Sequence, residues 1–276
     1  MLTKIAHFYW GGNPFSFLRL LTIKSFIMMN PDWEVRFYTP LSHNHDDAKW
    51  VSHSHKEKYT GPCYLHRLHT LGVKTQVFDF AAAGFPHDIH EAYKSDFLRW
   101  FLLYNVGGFW SDTDVIFFRP LTTKVFEEHD FCITADMNPT IYYIAYIYAK
   151  HKCPAAGTIM RAALQKGNFD PMNYQCLGNV LVQKCFPYER SYNEVHPNLK
   201  FKLMNPAVNL PIKRVRNIEK IFEKSRAVDC SDSVGLHWFG GHPMAYKWEN
   251  IITPGVSQHV NTTLCETIRS LDLCSL

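Results

Sequence analysis

The stretch "GGFWSDTDVIFF", residues 107–118, sets Asp112 and Asp114 inside an otherwise apolar run. Burying a carboxylate is costly unless a positive charge meets it. Whatever this chain folds into must therefore bring a cationic side chain or a metal ion to that pair. If Trp110–Phe118 runs extended, side chains two apart share a face, so Asp112 and Asp114 point one way and Thr113 the other. Carboxylates so placed repel unless they share a proton or a cation. An all-oxygen pair suits a hard divalent ion such as Mn²⁺ or Mg²⁺. The tripeptide alone is common and also fits a solvated turn, so its surroundings have to decide.

Those surroundings are informative. The preceding segment, "EAYKSDFLRWFLLYN", predicts a helix over 91–105 that stops at Gly107-Gly108, glycine being the usual residue just past a helix end. From Phe97 onward it is apolar almost all round, so it should be buried. Asp96 and Arg99 are three apart and share a face. They form either a structural ion pair or a pair that also offers hydrogen-bonding groups to a ligand.

Upstream, Lys4–Trp10 reads as a strand, followed by a turn at Gly11-Gly12-Asn13-Pro14. Phe15–Met29 has helical spacing and ends at Asn30-Pro31. Glu34–Tyr38 and Thr75–Phe80 read as strands, with a polar, histidine-rich loop and a short helix across 41–70. Strand, helix, strand, loop, strand, helix, strand predicts an α/β fold: a mostly parallel, Rossmann-like sheet with helices on both faces. Ligands of such sheets sit beyond the carboxyl ends of the strands. That gathers Trp10, Gly11, Gly12, Tyr38, Thr39, Asp112 and Asp114 around one crevice.

The second half is less regular. Strands are expected at Phe131–Ala135, Tyr142–Ala149, Lys200–Met204 and Val234–Trp238, and helices at Ala155–Lys166 and Tyr174–Lys184. No internal repeat and no Gly/Ser/Pro-rich linker divides the 276 residues, so one domain is expected over 1–276. A formal charge of +4 and the lack of a basic stripe argue against nucleic acid as a partner; Lys213-Arg214-Val215-Arg216 reads as a solvated face. No apolar run is long enough to span a bilayer. The opening residues read as a strand rather than a leader, and the eight cysteines form no C-x-x-C pair. The expected location is cytoplasmic, with at most peripheral contact at a membrane. His43, His45, His53 and His55, with Asp46 and Asp47, lack the tight paired spacing of a zinc site and read as a surface loop.

The run "SDFLRWFLLYNVGGFWSDTDVIFFRPL" closely resembles the DXD region of retaining GT-A-type sugar transferases. That family includes Golgi outer-chain mannosyltransferases and α-1,4-galactosyl- and N-acetylglucosaminyltransferases, with the glucosylating toxins more distant. "KIAHFYWGG", a helix and "PDWEVRFYTP" are similar to the family's N-terminal unit. The resemblance implies a GT-A fold, a nucleotide-sugar-binding half over 1–125 and an acceptor side over 126–276. It implies that Asp112 contacts the donor ribose and helps hold the metal, that Asp114 ligates the metal directly, and that Asp96 and Arg99 hold the donor sugar. Trp10, Gly11 and Tyr38 fall near the nucleotide. "GLHWFGGHPMAYKWE" is similar to a C-terminal segment in which a His ligates metal and a Gly and a Lys meet the diphosphate. By position these are His237, Gly240 and Lys247, followed by Trp248. The spacing to Lys247 is longer than in the family, and His242 or Trp238 are alternatives.

The implied activity is metal-dependent transfer of a hexose, with Asp112, Asp114 and Arg99 as the catalytic group. The implied donor is a nucleotide sugar, UDP-hexose ahead of GDP-mannose, and the acceptor a hydroxyl of a glycan or glycolipid. Two other classes compete with this reading. "DTDV" also fits the nucleophile loop of haloacid-dehalogenase phosphatases, but a Gly-Gly turn precedes it and Glu127-Glu128 follows too soon. A binding protein that has lost turnover is disfavoured because both aspartates and the Asp96/Arg99 pair are intact.

Overall fold

The computed structural model describes residues 2–12, 14–42, 59–137, 140–189, 191–208, 210–212 and 215–274. The histidine-rich group His43, His45, Asp46, Asp47, His53 and His55 lies outside these, as do Asn13, Lys213 and Arg214.

The strands are β1 (Ile5–Tyr9), β2 (Glu34–Pro40), β3 (Lys74–Phe78), β4 (Gly108–Ser111), β5 (Val115–Phe117), β6 (Phe131–Met137), β7 (Thr140–Ala149), β8 (Phe201–Met204) and β9 (Gly235–His237). The α-helices are α1 (Phe17–Met29), α2 (Arg67–Thr70), α3 (Glu91–Asn105), α4 (Thr123–Glu128), α5 (Pro154–Ala163), α6 (Asn179–Cys185), α7 (Ser191–Val195), α8 (Glu219–Phe222), α9 (Pro243–Ile251) and α10 (Thr263–Ser270). Seven strands form one sheet in the order β3-β2-β1-β4-β7-β6-β8, while β5 and β9 form a separate pair. In the large sheet β7 runs against its neighbours β4 and β6, and the other pairings are parallel. The expected α/β fold with a mostly parallel sheet is thus the observed one.

Strand periodicity distributes the core. Ala6, Phe8 and Phe109 enter the cluster on the α1 side with Phe26, Phe37 and Phe117. Tyr9, Tyr38 and Trp110 enter the cluster on the α3 side with Phe97, Leu98 and Trp100. Helices therefore cover both faces. A third cluster packs Leu18 and Leu21 of α1 against Ile116, Leu236, Trp238 and the C-terminal helices, so the last third of the chain is held on α1. No helix among the described residues is long and apolar enough to cross a membrane.

The largest departure from the sequence reading is at the aspartates. Trp110–Phe118 is not one strand: β4 ends at Ser111, residues 112–114 form a turn, and β5 leaves the large sheet to pair with β9. The chain breaks there because β5 meets a different partner, with Val115 opposite His237 and Phe117 opposite Gly235. The helix expected over 174–184 starts only at Asn179. The C-terminal helices α9 and α10 were not anticipated.

Candidate active site

Winding from β1 outward through β2 to β3, then back to β4 on the other side of β1, opens a crevice beyond the ends of β1 and β4, where α/β sheets bind ligands. Trp10 follows β1 and Asp112 follows β4 there. The turn at 112–114 is gripped from behind by one ridge of α1. Arg19 Nη1 donates to Thr113 Oγ1 at 3.0 Å, Thr22 Oγ1 to Thr113 O at 2.9 Å, and Ser25 Oγ accepts from Phe117 N at 3.0 Å. The Thr113 hydroxyl is directed to Arg19 on α1, and the backbone here is a turn rather than the expected strand.

The charges that meet the aspartates come from two directions. Arg99 Nη1 donates to Asp96 Oδ1 at 2.7 Å and Nη2 to Asp112 Oδ1 at 2.9 Å, so one planar fork bridges α3 to the turn. Trp110 Nε1 donates to the same Asp112 oxygen at 2.9 Å. Asp114 Oδ2 accepts from Gly240 N at 2.7 Å, and its Oδ1 faces His237 Nε2 at 3.1 Å. The β5–β9 pair and a Trp238 N–H to Asp114 O bond of 2.8 Å deliver His237 to this place.

Burial works against the Asp114 carboxylate, but His237, Arg19 and the Gly240 N–H outweigh it and hold the group down at about 2. Burial likewise works against His237 as a cation, and Asp114 and Asp112 reverse the balance, so its affinity for a proton is raised. Asp96 is pushed up to about 6 by burial, with Arg99 opposing and Asp112 adding to the rise.

One ligand atom each from Asp112, Asp114 and His237 lies within 4.8 Å of the others. Asp114 Oδ1 is buried against His237 Nε2 and accepts no other hydrogen bond among the described residues, and His237 Nδ1 is buried without a hydrogen-bond partner among them. A divalent cation would satisfy that carboxylate oxygen, and two carboxylates with an imidazole are a donor set such an ion accepts. The residues fit a cation.

The other expected positions distribute as follows. Trp10 lies at the crevice with its ring 3.9 Å from the Arg19 guanidinium carbon, and its buried Nε1 lacks a partner. Gly11 sits where a Cβ would overlap the Glu91 carboxylate, which also accepts from Tyr9 Oη. Tyr38 is buried and its hydroxyl lies 3.2 Å from His7 Nδ1, while its carbonyl accepts from Trp10 N at 3.1 Å. Gly240 is wedged where a Cβ would stand 2.9 Å from Arg19 Nη2 and 3.1 Å from Asp114 Cβ. Lys247 is exposed on α9, while Trp248 stacks on Phe222 at 6.1 Å in the C-terminal cluster. His242 caps α9 by accepting from Met244 N, and Trp238 is fully buried.

Sequence reasoning missed Arg19 and Glu249. Arg19 Nε lies 2.8 Å from Glu249 Oε1, and Ser16 donates its hydroxyl to the same oxygen. The available signal was Arg19, Thr22 and Ser25 recurring every third residue in a helix whose one other polar residue is Lys24; all three are buried.

Residues 19–132, less than half of the chain, match the family described as glycosyltransferase sugar-binding region containing DXD motif. Arg19, Asp96, Arg99, Asp112 and Asp114 all fall within the segment that this family model matches. Among solved structures the chain is similar to the PaToxG glycosyltransferase, at 15% identity and a TM-score of 0.47, covering 98% of this chain and 87% of that one. It is also similar to the galactosyltransferase LgtC in complex with donor and acceptor sugar analogues, at 13% identity and a TM-score of 0.43, covering 98% and 95%. No curated protein sequence matches the chain.

Proposed function

We propose that this chain is a glycosyltransferase with one GT-A-type domain. It moves a hexose from a nucleoside diphosphate sugar, UDP-hexose ahead of GDP-mannose, to a hydroxyl of a glycan or glycolipid. The anomeric configuration is retained. The observation that carries this reading is the convergence of Asp112, Asp114 and His237 beside the Asp96–Arg99 pair, at the crevice where the sheet reverses its winding.

Asp112, Asp114 and His237 would hold the cation, Mn²⁺ or Mg²⁺, which when bound neutralises the charge that develops on the departing diphosphate. The chain's own groups do the rest. Arg99 fixes the Asp112 carboxylate and the Asp96 carboxylate in one plane, which pre-organises both before a donor arrives. Asp96 Oδ2 lies 2.9 Å from the position a Cβ would take at Gly178, so that glycine leaves open the space next to it. At neutral pH Asp96 is mostly ionised and accepts hydrogen bonds from the sugar hydroxyls.

Trp10 and the Gly11 backbone border the nucleotide, and Tyr38 supports them from beneath. Gly240 and the exposed Lys247 would meet the diphosphate, with Trp248, stacked on Phe222, on the same helix as Lys247. The acceptor oxygen attacks the anomeric carbon from the face the diphosphate leaves. The new carbon–oxygen bond forms as the bond to the phosphate oxygen breaks, and the acceptor's proton goes to a diphosphate oxygen. No side chain is assigned as a nucleophile. The reading includes a cytoplasmic location, with peripheral membrane contact where the acceptor is a glycolipid.

The test is a panel of nucleotide sugars with and without Mn²⁺, reading nucleotide release. Mn²⁺-dependent release from one donor is expected. No release from any donor, with purified folded protein, would sink the reading.

A further inference from the structure

We infer that Arg19, anchored by Glu249 and Ser16, is a positioning residue that sets the geometry of the cation site. It does so from behind, through Thr113 and Gly240, and the inference rests on the reading of Asp112, Asp114 and His237 as cation ligands. Arg19 and Glu249 are almost wholly buried and sit 2.8 Å apart. A buried ion pair is a poor device for stability, because well-packed apolar residues of similar size are usually as good or better. Here Glu249 Oε2 is left buried with no hydrogen-bond partner as well.

What the pair does achieve is convergence. Its guanidinium reaches three separate pieces of chain, and two of them, at Thr113 and at Trp238–Gly240, adjoin the ligands. Nη1 donates to the Thr113 hydroxyl, which lies between Asp112 and Asp114 in the chain. Nη2 approaches Gly240 O at 3.5 Å, and the N–H of that same residue is the donor that fixes Asp114 Oδ2. The flat face of the group packs on the Trp10 ring at 3.9 Å and lies 5.2 Å from the Trp238 ring, one residue from His237.

Glu249 and Ser16 supply the anchor. Ser16 caps α1 by accepting from Arg19 N at 3.3 Å, and its own hydroxyl hydrogen goes to Glu249. The start of α1 and the middle of α9 are thereby bolted together across the turn. With Asp114 Oδ2 taken by Gly240, Oδ1 is the oxygen left to face His237 and the cation. Tilting Gly240 or Thr113 would rotate that oxygen away, which is how residues outside the ligand set tune metal affinity.

The experiment measures Mn²⁺ affinity directly, by electron paramagnetic resonance of the free ion, with and without UDP, alongside melting temperature. Arg19→Lys keeps the positive charge and its reach to Glu249 but loses the planar fork. Its Mn²⁺ dissociation constant should rise roughly 10–100-fold. Thr113→Val, which removes only the hydroxyl that receives Nη1, should raise it by a smaller factor, and it decides the matter if Arg19→Lys does not fold. Weaker Mn²⁺ binding in folded variants supports the inference. Wild-type Mn²⁺ affinity with a lowered melting temperature overturns it and leaves a structural ion pair. Asp114→Asn is the control: if it abolishes binding while Arg19→Lys and Thr113→Val bind normally, this inference alone falls. If the wild-type protein binds no Mn²⁺ under either condition, both this inference and the transferase reading fall.

Discussion

Each of the two aspartates has a different neutraliser, so the two should respond differently to substitution. Asp114 is held through Oδ2 by the Gly240 N–H and faces His237 Nε2 with Oδ1. Asp114→Asn removes the anionic ligand and little volume, so turnover should fall by at least about 10²–10³-fold while the melting temperature stays near wild type. Near-normal Mn²⁺-dependent activity in that variant would remove the cation-site assignment. Asp112→Asn should also be severely impaired. Arg99 serves two carboxylates at 2.7 and 2.9 Å, which changes the expectation for Asp96. Stranding a buried charge typically costs about 3–5 kcal/mol. In Asp96→Asn, Arg99 keeps Asp112, so the stability loss should stay below that range. Turnover should drop roughly 10–100-fold if Asp96 accepts from sugar hydroxyls, and UDP affinity should hardly move. Measuring all three separates the cases: a large melting-temperature drop with turnover preserved in the folded fraction means a purely structural pair.

At the scale of elements, the site depends on a two-strand pairing of three residues a side. β9 reaches β5 closely because Gly235 stands opposite Phe117; a Cβ there would meet Val115 Cγ1 at 2.8 Å and Ile116 O at 3.1 Å. Gly235→Val should therefore push β9 outward, costing about 1–3 kcal/mol of stability. It should also raise the Mn²⁺ concentration for half-maximal activity, since His237 moves with the strand. His237→Ala should raise that concentration by at least about tenfold without disturbing the strands. If His237→Ala kept wild-type metal dependence and only melted earlier, the histidine would be a core residue and β9 a plain structural strand. The ridge of α1 belongs to the same scale. Thr22 holds the turn at Thr113 O and Ser25 holds β5 at Phe117 N, through hydrogen bonds of 2.9 and 3.0 Å, each worth about 1 kcal/mol.

For the whole molecule, two buried groups pull stability in opposite directions with pH. His7 is fully buried between Tyr38 and the Gly107 carbonyl, which its Nε2 meets at 2.8 Å. Burial lowers it from 6.5 to about 4. As pH falls from 6.5 to 4 the unfolded chain takes up a proton there and the fold does not, so stability is lost, on the order of 3 kcal/mol in all. Asp96 is raised from 3.8 to about 6, so the fold keeps a proton that the unfolded chain releases. Its contribution is present below pH 3.8 and is lost, by a similar amount, as pH rises to 6. Between pH 4 and 6 the two nearly offset each other. Denaturant melts across that range should show His7→Gln losing stability as pH rises and Asp96→Asn losing it as pH falls, relative to a flatter wild type. Parallel profiles for all three proteins would contradict the assignment of either group.

Much of this architecture was readable along the chain because it depends on local order. The helix over 91–105 appears with those bounds, since its apolar run, its start and its glycine stop are all local signals. β1, β2 and β3 fall within one or two residues of their expected ends, and their spacing with α1 and α3 prescribes the parallel sheet and the end of it that binds ligands. The aspartate pair, Arg99 and Asp96 were legible because a charge in an apolar run has to be explained wherever it sits. What the sequence could not decide was partnership across distance. Nothing local says that Trp110–Phe118 breaks at the aspartates, because the break is made by β9, more than a hundred residues later. Nothing local distinguishes a polar ridge that faces water from one that grips a strand, so the spacing of Arg19, Thr22 and Ser25 could not reveal their role. Glu249 carried no local signal, and its role exists only because α9 folds back over α1. Periodicity prescribes which side chains share a face; only the packing of one element on another determines what that face meets, and here that packing turned a solvent-like stripe into the support of the site.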